Sequence, residues 1–570
     1  MEFYFSARSL RARRVLAGAI CVLLVSFFAV TYAVAQEQTE TPAFTPVLAP
    51  GSSTAVQAAD RGRILLVLPF DNRSGQPNLE WVREAAADLL SSRFRSVGFA
   101  PTRRADRMYA LDHLGLPQSF QPSRASSLKL AQTLDADQIV VGSFIIDGND
   151  IVAQAKLVDV PHLRMGKQVT ARGDMHDMIA VFDSLAWKLT MQLDPNVGVS
   201  EETFIAAGKN LRIDAFEQYI RGITESDQVE RLKHLEASVK LNPNFSPAWM
   251  ALGREQYNGQ QYEQAADAFA RVDKSSIDGL EAGFYRGLSL LFSGDYANAE
   301  KAFADVAKVL PLAEVINNEA VAASRQGHDA TTLFVQAAAD DPSSPDYHFN
   351  LAVSLKRHGQ PGPAMNELAQ CLKLRPNDSE AQALMAAWKQ PVVRTVSQTA
   401  GAPAADSDSV AEPDPLERIV RTFDASAFRQ AAQMLDQVET ARLSALPPME
   451  RAQKLSAQAR SYFDSGLLLE AERFYQSAVR ADNNCAEAHE GLALVRERTG
   501  AVDAARREAN KALELKPSAS AYLVLGRLDL DAGRLTEAGN EATEALKLEP
   551  ANVAAGDLAK KVQTKAGETK

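Results

Sequence analysis

Residues 246–276 read SPAWMALGREQYNGQQYEQAADAFARVDKSS. An aromatic (Trp249), a Leu-Gly pair (Leu252-Gly253), a small residue on a second helix (Ala265) and an aromatic four later (Phe269) mark one helix pair. The order returns at Gly287, Ala299, Phe303 and Pro311, and again at Leu351-Ala352, Ala364, Leu368, Cys371 and Pro376. Between them lies a shortened, degenerate unit with Ala330, Phe334, Ala337 and Pro342. The small second-helix position therefore falls at Ala265, Ala299, Ala330 and Ala364, spaced 34, 31 and 34. Upstream, Phe216 to Pro243 reads as a shortened first unit. Downstream the register resumes at Ala471, Ala505 and Ala538, spaced 34 and 33. Residues 551–565 look like a capping helix, and 416–445 are helical by composition without a place on the repeat.

A helix pair repeated at this period cannot cover its own apolar face, so neighbours stack into a solenoid. The columns resemble tetratricopeptide repeats. Small residues sit where helices approach, and Trp249, Phe269 and Phe303 fill the gaps between. In that family the first helix of each pair lines a concave groove. Carried over column by column, the resemblance puts Met250, Arg254, Tyr257 and Asn258 in the groove from one repeat. Phe284, Leu288 and Phe292 follow from the next, and Phe349, Val353, Lys356 and Arg357 from the Leu351 repeat. Such a mixture of aromatics and cations suits an extended peptide or helix with acidic and apolar side chains. The basic clamp of chaperone-binding relatives is not matched, because Met250 and Phe349 stand where it needs lysine.

Ahead of the repeats, Ile64 to Phe70 is a continuous apolar run ended by Asp71-Asn72-Arg73-Ser74-Gly75, a buried strand and its turn. Leu79 to Val97 has helical spacing, and Ser123 to Leu134 leads into the strand Gln138–Ile146. Asp147-Gly148-Asn149-Asp150 is a hairpin signal. Met175 to Leu193 closes a β-α-β-α-β-β-β-α order. LPF-DNRSG, DADQIVVGSF and the strand ending KLVDV resemble the TolB N-terminal-like domain and its FlgO-type relatives. That resemblance implies an interaction module. The fold class expected is an α/β N-terminal domain, a mixed sheet with flanking helices, followed by an all-α tetratricopeptide solenoid in two arrays. The expected divisions are 62–195 for the α/β domain, 211–390 for the first array, 391–415 for a Pro/Ser/Ala-rich linker and 416–570 for the second helical region.

The chain opens with Arg8, Arg11, Arg13 and Arg14, an apolar run from Val15 to Ala35, and the small-x-small pattern Ala33-Val34-Ala35. These read as a secretory signal in residues 1–35, or as an anchor through 15–35 if uncleaved. A Pro/Thr/Ser-rich tether spans 36–61. Both readings place the rest outside the cytoplasm, periplasmic or otherwise exported. With 61 Lys+Arg against 72 Asp+Glu, the net charge is −11, which argues against neutralising nucleic-acid phosphates. The chain has three cysteines; Cys371 and Cys485 read as buried thiols, and the count excludes a disulfide scaffold.

No catalytic pattern emerges. Gly166-Lys167-Gln168 lacks what a phosphate loop requires, and no G-x-S-x-G or H-E-x-x-H occurs. His348 and His489 occupy the aromatic column, and Asp71, Asp147 and Asp150 fit turn hydrogen bonding. Sequence therefore points to no enzyme, cofactor or metal. It points to a non-catalytic envelope scaffold whose partners are envelope proteins or peptides. The alternative is a regulator or activator of an envelope enzyme such as a cell-wall synthase. If the signal is cleaved after Ala35, intact-mass measurement on envelope fractions finds a mature chain beginning at Gln36; retention of residues 1–35 makes it an anchored protein.

Overall fold

The structure, a computed structural model, describes residues 64–117, 123–208, 211–274, 276, 278–389, 415–423, 438 and 441–568. The signal 1–35, the tether 36–61, the linker up to 414 and nearly all of 424–440 lie outside the described residues. The chain is mostly helical with a small mixed sheet between residues 64 and 174. It divides into two compact units, one of Val47–Thr224, Lys240–Asn242 and Gln437–Lys570, the other including Glu225–Val239 and Pro243–Asp436.

In the first of these, β1 (Ile64–Val67) lies parallel to β3 (Ala100–Pro101) on one side and to β4 (Gln138–Asp147) on the other. The short β2 (Asp71–Asn72) also pairs with β4. A two-residue turn, with Gly148 at φ +65°, folds β4 back into the antiparallel β5 (Asp150–Asp159). A positive φ suits the tight turns whose twist matches that of the paired strands, and glycine adopts it without steric cost. β6 (Arg164–Met165) and β7 (Val169–Asp174) both pair with β5. One face is closed by α2 (Arg104–His113) and α3 (Arg124–Thr133), whose Ala110, Leu111, Leu130 and Ala131 bury Leu66, Ile139 and Val158.

The helices α1 (Val82–Ser96) and α4 (Met178–Leu193) pack on each other, and α4 runs across β5 and β7. Phe182 of α4 meets Phe70 edge-on at 5.7 Å. Between α1 and α4 a buried Arg93 donates to both carboxylate oxygens of Asp183, at 2.6 and 3.2 Å. Burial pushes the Asp183 carboxyl up, against the opposing pull of Arg93. A charge in this setting holds only while its partner is present.

Helices from the far end of the sequence join this unit. The six-residue α5 (Glu201–Ala206) docks on the C-terminal helices. Ser200, its N-cap, donates from N and Oγ to the buried Glu472, at 3.0 and 3.2 Å. Trp187 of α4 and Phe204 of α5 pack with ring centres 5.4 Å apart. The α/β region and the last helices thus form one unit, with α6 (Ile213–Thr224) completing it before the chain enters the other.

The other unit begins with α7 (Gln228–Leu241) and continues as antiparallel pairs. These are α8 (Ser246–Asn258) with α9 (Tyr262–Ala270), α10 (Gly279–Ser293) with α11 (Tyr296–Ala307), α12 (Ala313–Arg325) with α13 (Thr331–Asp340), and α14 (Pro345–Arg357) with α15 (Pro361–Leu374). α16 (Ser379–Lys389) follows. The C-terminal helices are α17 (Pro448–Asp464), α18 (Leu468–Ala481), α19 (Ala486–Thr499), α20 (Val502–Leu515), α21 (Ala519–Asp531), α22 (Leu535–Leu548) and α23 (Val553–Glu568).

One local rule recurs in both groups. Near the start of a pair's first helix a side chain donates to the carbonyl six residues back. Trp249 Nε1 bonds Pro243 O at 2.8 Å, and Gln382 Nε2 bonds Pro376 O at 2.7 Å. His348 Nε2 lies 3.1 Å from Pro342 O, and His489 Nε2 lies 3.0 Å from Asn483 O. Each contact satisfies a carbonyl in the turn between repeats. His489 is also held by the Glu508 carboxylate at Nδ1, 2.6 Å away, and that hydrogen bond raises its pKa. The two histidines are packing and turn-fixing groups.

Close approach within a pair rests on glycine. A Cβ added at Gly253 would stand 2.8 Å from the Phe269 ring, and one at Gly287 2.7 Å from the Phe303 ring. Phe303 is fully buried and cannot retreat. Gly287→Ala is therefore expected to cost roughly 1–3 kcal/mol by overpacking, read as a lower denaturation midpoint, and a midpoint equal to wild type would show that α10 and α11 have slack.

Candidate binding groove

Residues 415–423, PLERIVRTF, are extended and lie along the first helices of the repeats in their own unit. The helical reading of 416–445 fails here. Ile419, Val420 and Thr422 are β-branched and favour extended backbone, and the partners of that backbone come from side chains rather than from a sheet.

Those side chains are Asn317 and Asn318 on α12 and Asn350 on α14, all 0% exposed. Asparagine inside a helix is about 0.5–0.7 kcal/mol worse than alanine, so its presence there calls for a use of the amide. Arg418 N donates to Asn350 Oδ1 at 2.6 Å, and Asn350 Nδ2 donates to Arg418 O at 2.8 Å. Two residues on, Val420 N donates to Asn318 Oδ1 at 3.0 Å, and Asn318 Nδ2 returns to Val420 O at 2.8 Å. Asn317 bridges the two, accepting from Asn350 at 2.8 Å and donating to Arg418 O at 3.1 Å. The Asn350 and Asn318 amides each imitate one rung of a β-ladder.

Successive side chains of an extended chain point opposite ways, and the groove has a distinct charge on each side. Toward the C-terminal ends of α12 and α14, Glu417 is buried between Arg325, 3.5 Å away, and Arg357, which donates to its Oε1. Ser324 Oγ donates to the same carboxylate at 2.5 Å, and Arg357 Nη2 to Pro415 O at 2.8 Å. On the other side Arg418 donates to both oxygens of Asp378, at 2.6 and 2.8 Å, to Asp346 at 2.9 Å and to Glu380 at 2.9 Å. Its guanidinium lies 3.7 Å over the Phe349 ring. The hydrogen bond from Arg418 is the largest influence on Asp378 and holds its carboxyl down to about 2. Farther along, Arg421 stands 4.8 Å over Phe292, and Phe423 packs 5.3 Å from Phe284. The segment runs from α14 back to α10, antiparallel to the repeat order.

The residues singled out from sequence divide accordingly. Phe284, Phe292, Phe349 and Arg357 touch the segment. Tyr257 packs edge-on against Tyr285 and Tyr262, near Phe292, and burial pushes its hydroxyl up to about 12. Met250, Leu288 and Val353 are buried in the helix core. They lie in the clusters around Phe269, Phe303 and Leu368, and the cluster that holds Leu288 together with Phe284 also packs against Ile419, Val420 and Phe423. Arg254 is paired with Glu281, Lys356 lies 5.6 Å over the Trp388 ring, and Asn258 is exposed at the end of α8. The three asparagines, the acidic cluster and Arg325 were missed. Signals existed: Asn318 and Arg325 recur 32 residues later as Asn350 and Arg357. Cys371 lies beside Asp378, and burial raises its thiol to about 11, far from a reactive thiolate.

Tetratricopeptide-repeat family models match residues 456–520 and 321–387. The chain carries tetratricopeptide repeats. No curated protein matches it. Among solved structures it is similar to YrrB, described as a tetratricopeptide protein with an unusual peptide-binding site. The identity is 14%, covering 34% of this chain and 95% of that one, with a TM-score of 0.27. MamA from Desulfovibrio magneticus RS-1 is 18% identical over 32% of this chain and 99% of that one, with a TM-score of 0.26. The C-terminal domain of LpoB from Escherichia coli is 21% identical over 20% of this chain and 84% of that one, with a TM-score of 0.19.

Removing the Asn350 amide takes two hydrogen bonds from Arg418, together worth on the order of 1–3 kcal/mol. Asn350→Ala should accordingly speed amide exchange in 415–423 by about tenfold or more, measured by mass spectrometry, with exchange in 448–568 unchanged. Unaltered protection of 415–423 would mean that the asparagines do not hold the segment.

Proposed function

We propose that this chain is an exported, non-catalytic protein–protein interaction scaffold of the cell envelope. Two tetratricopeptide arrays and a TolB N-terminal-like domain would serve as its contact surfaces. The first array, through the groove of α10, α12 and α14, is the peptide-reading element. One observation carries this: the asparagines of α12 and α14 pair with the main chain of an extended segment, while charged clusters on either side take its alternating side chains. Main-chain pairing supplies affinity and flanking pockets supply selectivity, as in other modes of extended-peptide recognition.

The export part rests on the arginines and apolar run of residues 1–35. The interaction role of the α/β domain rests on its resemblance and on the order of its strands and helices.

Crosslinking with mass spectrometry in the native host tests the reading. Partner peptides are expected against residues 284–292 and 349–357, with Arg357→Glu reducing that capture severalfold. Crosslinks confined to residues 64–193 would make the α/β domain the recognition site and the repeats a spacer.

A further inference from the structure

Resting on that reading, we propose that residues 415–423 are a resident ligand of the groove, and that the partner is an extended segment with the same side-chain order. That order is a carboxylate, an arginine, two apolar residues, a cation, any residue and an aromatic ring.

The chemistry of the groove sets each position. Arg325 and Arg357 with Ser324 form a site for one carboxylate, and Glu417 fills it until almost nothing is exposed. Asp346, Asp378 and Glu380 set three carboxylates close together; Arg375 engages Asp346 at 2.8 Å and stands 3.5 Å from Asp378, and a second cation completes the pairing. Arg418 supplies that cation, with the planar fork that bidentate pairing requires. Swapping the two charges would set arginine against Arg325 and Arg357, and a carboxylate among three others with Arg375 alone to offset them. The pattern is therefore directional. Phe292 presents its face to the cation of Arg421, and Phe284 its ring to Phe423. Because Asn318 and Asn350 hold only main chain, the positions between the two arginines are selected for apolar character alone: Ile419 and Val420 pack against the cluster of Phe284 and Phe303.

Tethering makes the segment a competitor. A ligand on the same chain sees an effective concentration on the order of millimolar, and an external peptide binds with its affinity reduced by the fraction of grooves left open. A partner must outbid the resident or bind when it is released.

The test uses the full chain and a fluorescent synthetic peptide, PLERIVRTF, followed by anisotropy. A charge-swapped chain, Glu417→Arg with Arg418→Glu, vacates the groove without touching it. A second chain with 415–423 replaced by glycine and serine does the same by deletion. Both should bind the peptide at least about tenfold more tightly than wild type, and Asn318→Ala with Asn350→Ala in either background should abolish the gain. A peptide with its Glu and first Arg exchanged should bind at least about tenfold more weakly. If that exchanged peptide binds equally well, the groove accepts peptides but not by this order, and the inference falls while the proposed function stands. If neither vacated chain binds any peptide, the peptide-reading groove itself is refuted. Equal affinity for wild type and vacated chains would show that the segment blocks nothing. A wild-type dimer that both vacated chains lose would assign the segment to a second copy's groove and overturn its role as an internal ligand.

Discussion

Three buried asparagine amides set the terms for the unit that holds α8 to α16. Asn317, Asn318 and Asn350 stand inside helices, where their type is unfavourable, and their donors and acceptors are satisfied by one another and by the main chain of Arg418 and Val420. A buried amide left without partners costs about 1–3 kcal/mol, so these positions persist because something extended lies against them or because water reaches them. Everything else at the groove depends on the main-chain position they impose. It fixes which side of the segment meets arginines, which meets carboxylates, and where the rings fall.

The repeat columns were legible because they are written in residue size. Helices approach closely only where a side chain is small, so Gly253, Gly287 and the alanine column announce themselves at the repeat period. The groove was legible in part. Phe284, Phe292, Phe349 and Arg357 stand on columns that repeat, and the structure brings all four to the segment. Leu288 and Val353 stand on the same rows, between Phe284 and Phe292 and between Phe349 and Arg357, while Met250 packs in the cluster of Phe269. The asparagine rungs escaped because the repeat of α12 is shortened, and its degenerate spacing hid Asn318 beneath the column of Asn350. Arg418 escaped for another reason. PLERIVRTF shows no apolar–polar alternation, and the partners that make it ordered lie far away in sequence.

The unit that holds the sheet shows a different limit of linear reading. Its pieces come from both ends of the described chain, joined where Ser200 meets Glu472 and Thr203 Oγ1 meets Thr499 Oγ1 at 3.4 Å. A six-residue helix carries too little pattern to announce a docking role. Its message lies in one polar side chain, Glu472, which is fully buried and would be untenable without Ser200 and Arg496 around it.

The two asparagine rungs also limit how far such a groove can count. An extended chain climbs about 6.6 Å for each pair of residues, whereas packed helices stand about 8–10 Å apart. Residues two apart can stay in phase with consecutive helices over a single step, as Arg418 and Val420 do. On the next first helix, α10, the segment meets a ring rather than an amide, Phe284 against Phe423, three residues beyond Val420 instead of two. The two scales act as a vernier that coincides once and then slips. A solenoid built this way reads a short word, however many repeats surround it, and lengthening the array would add surface without lengthening the message.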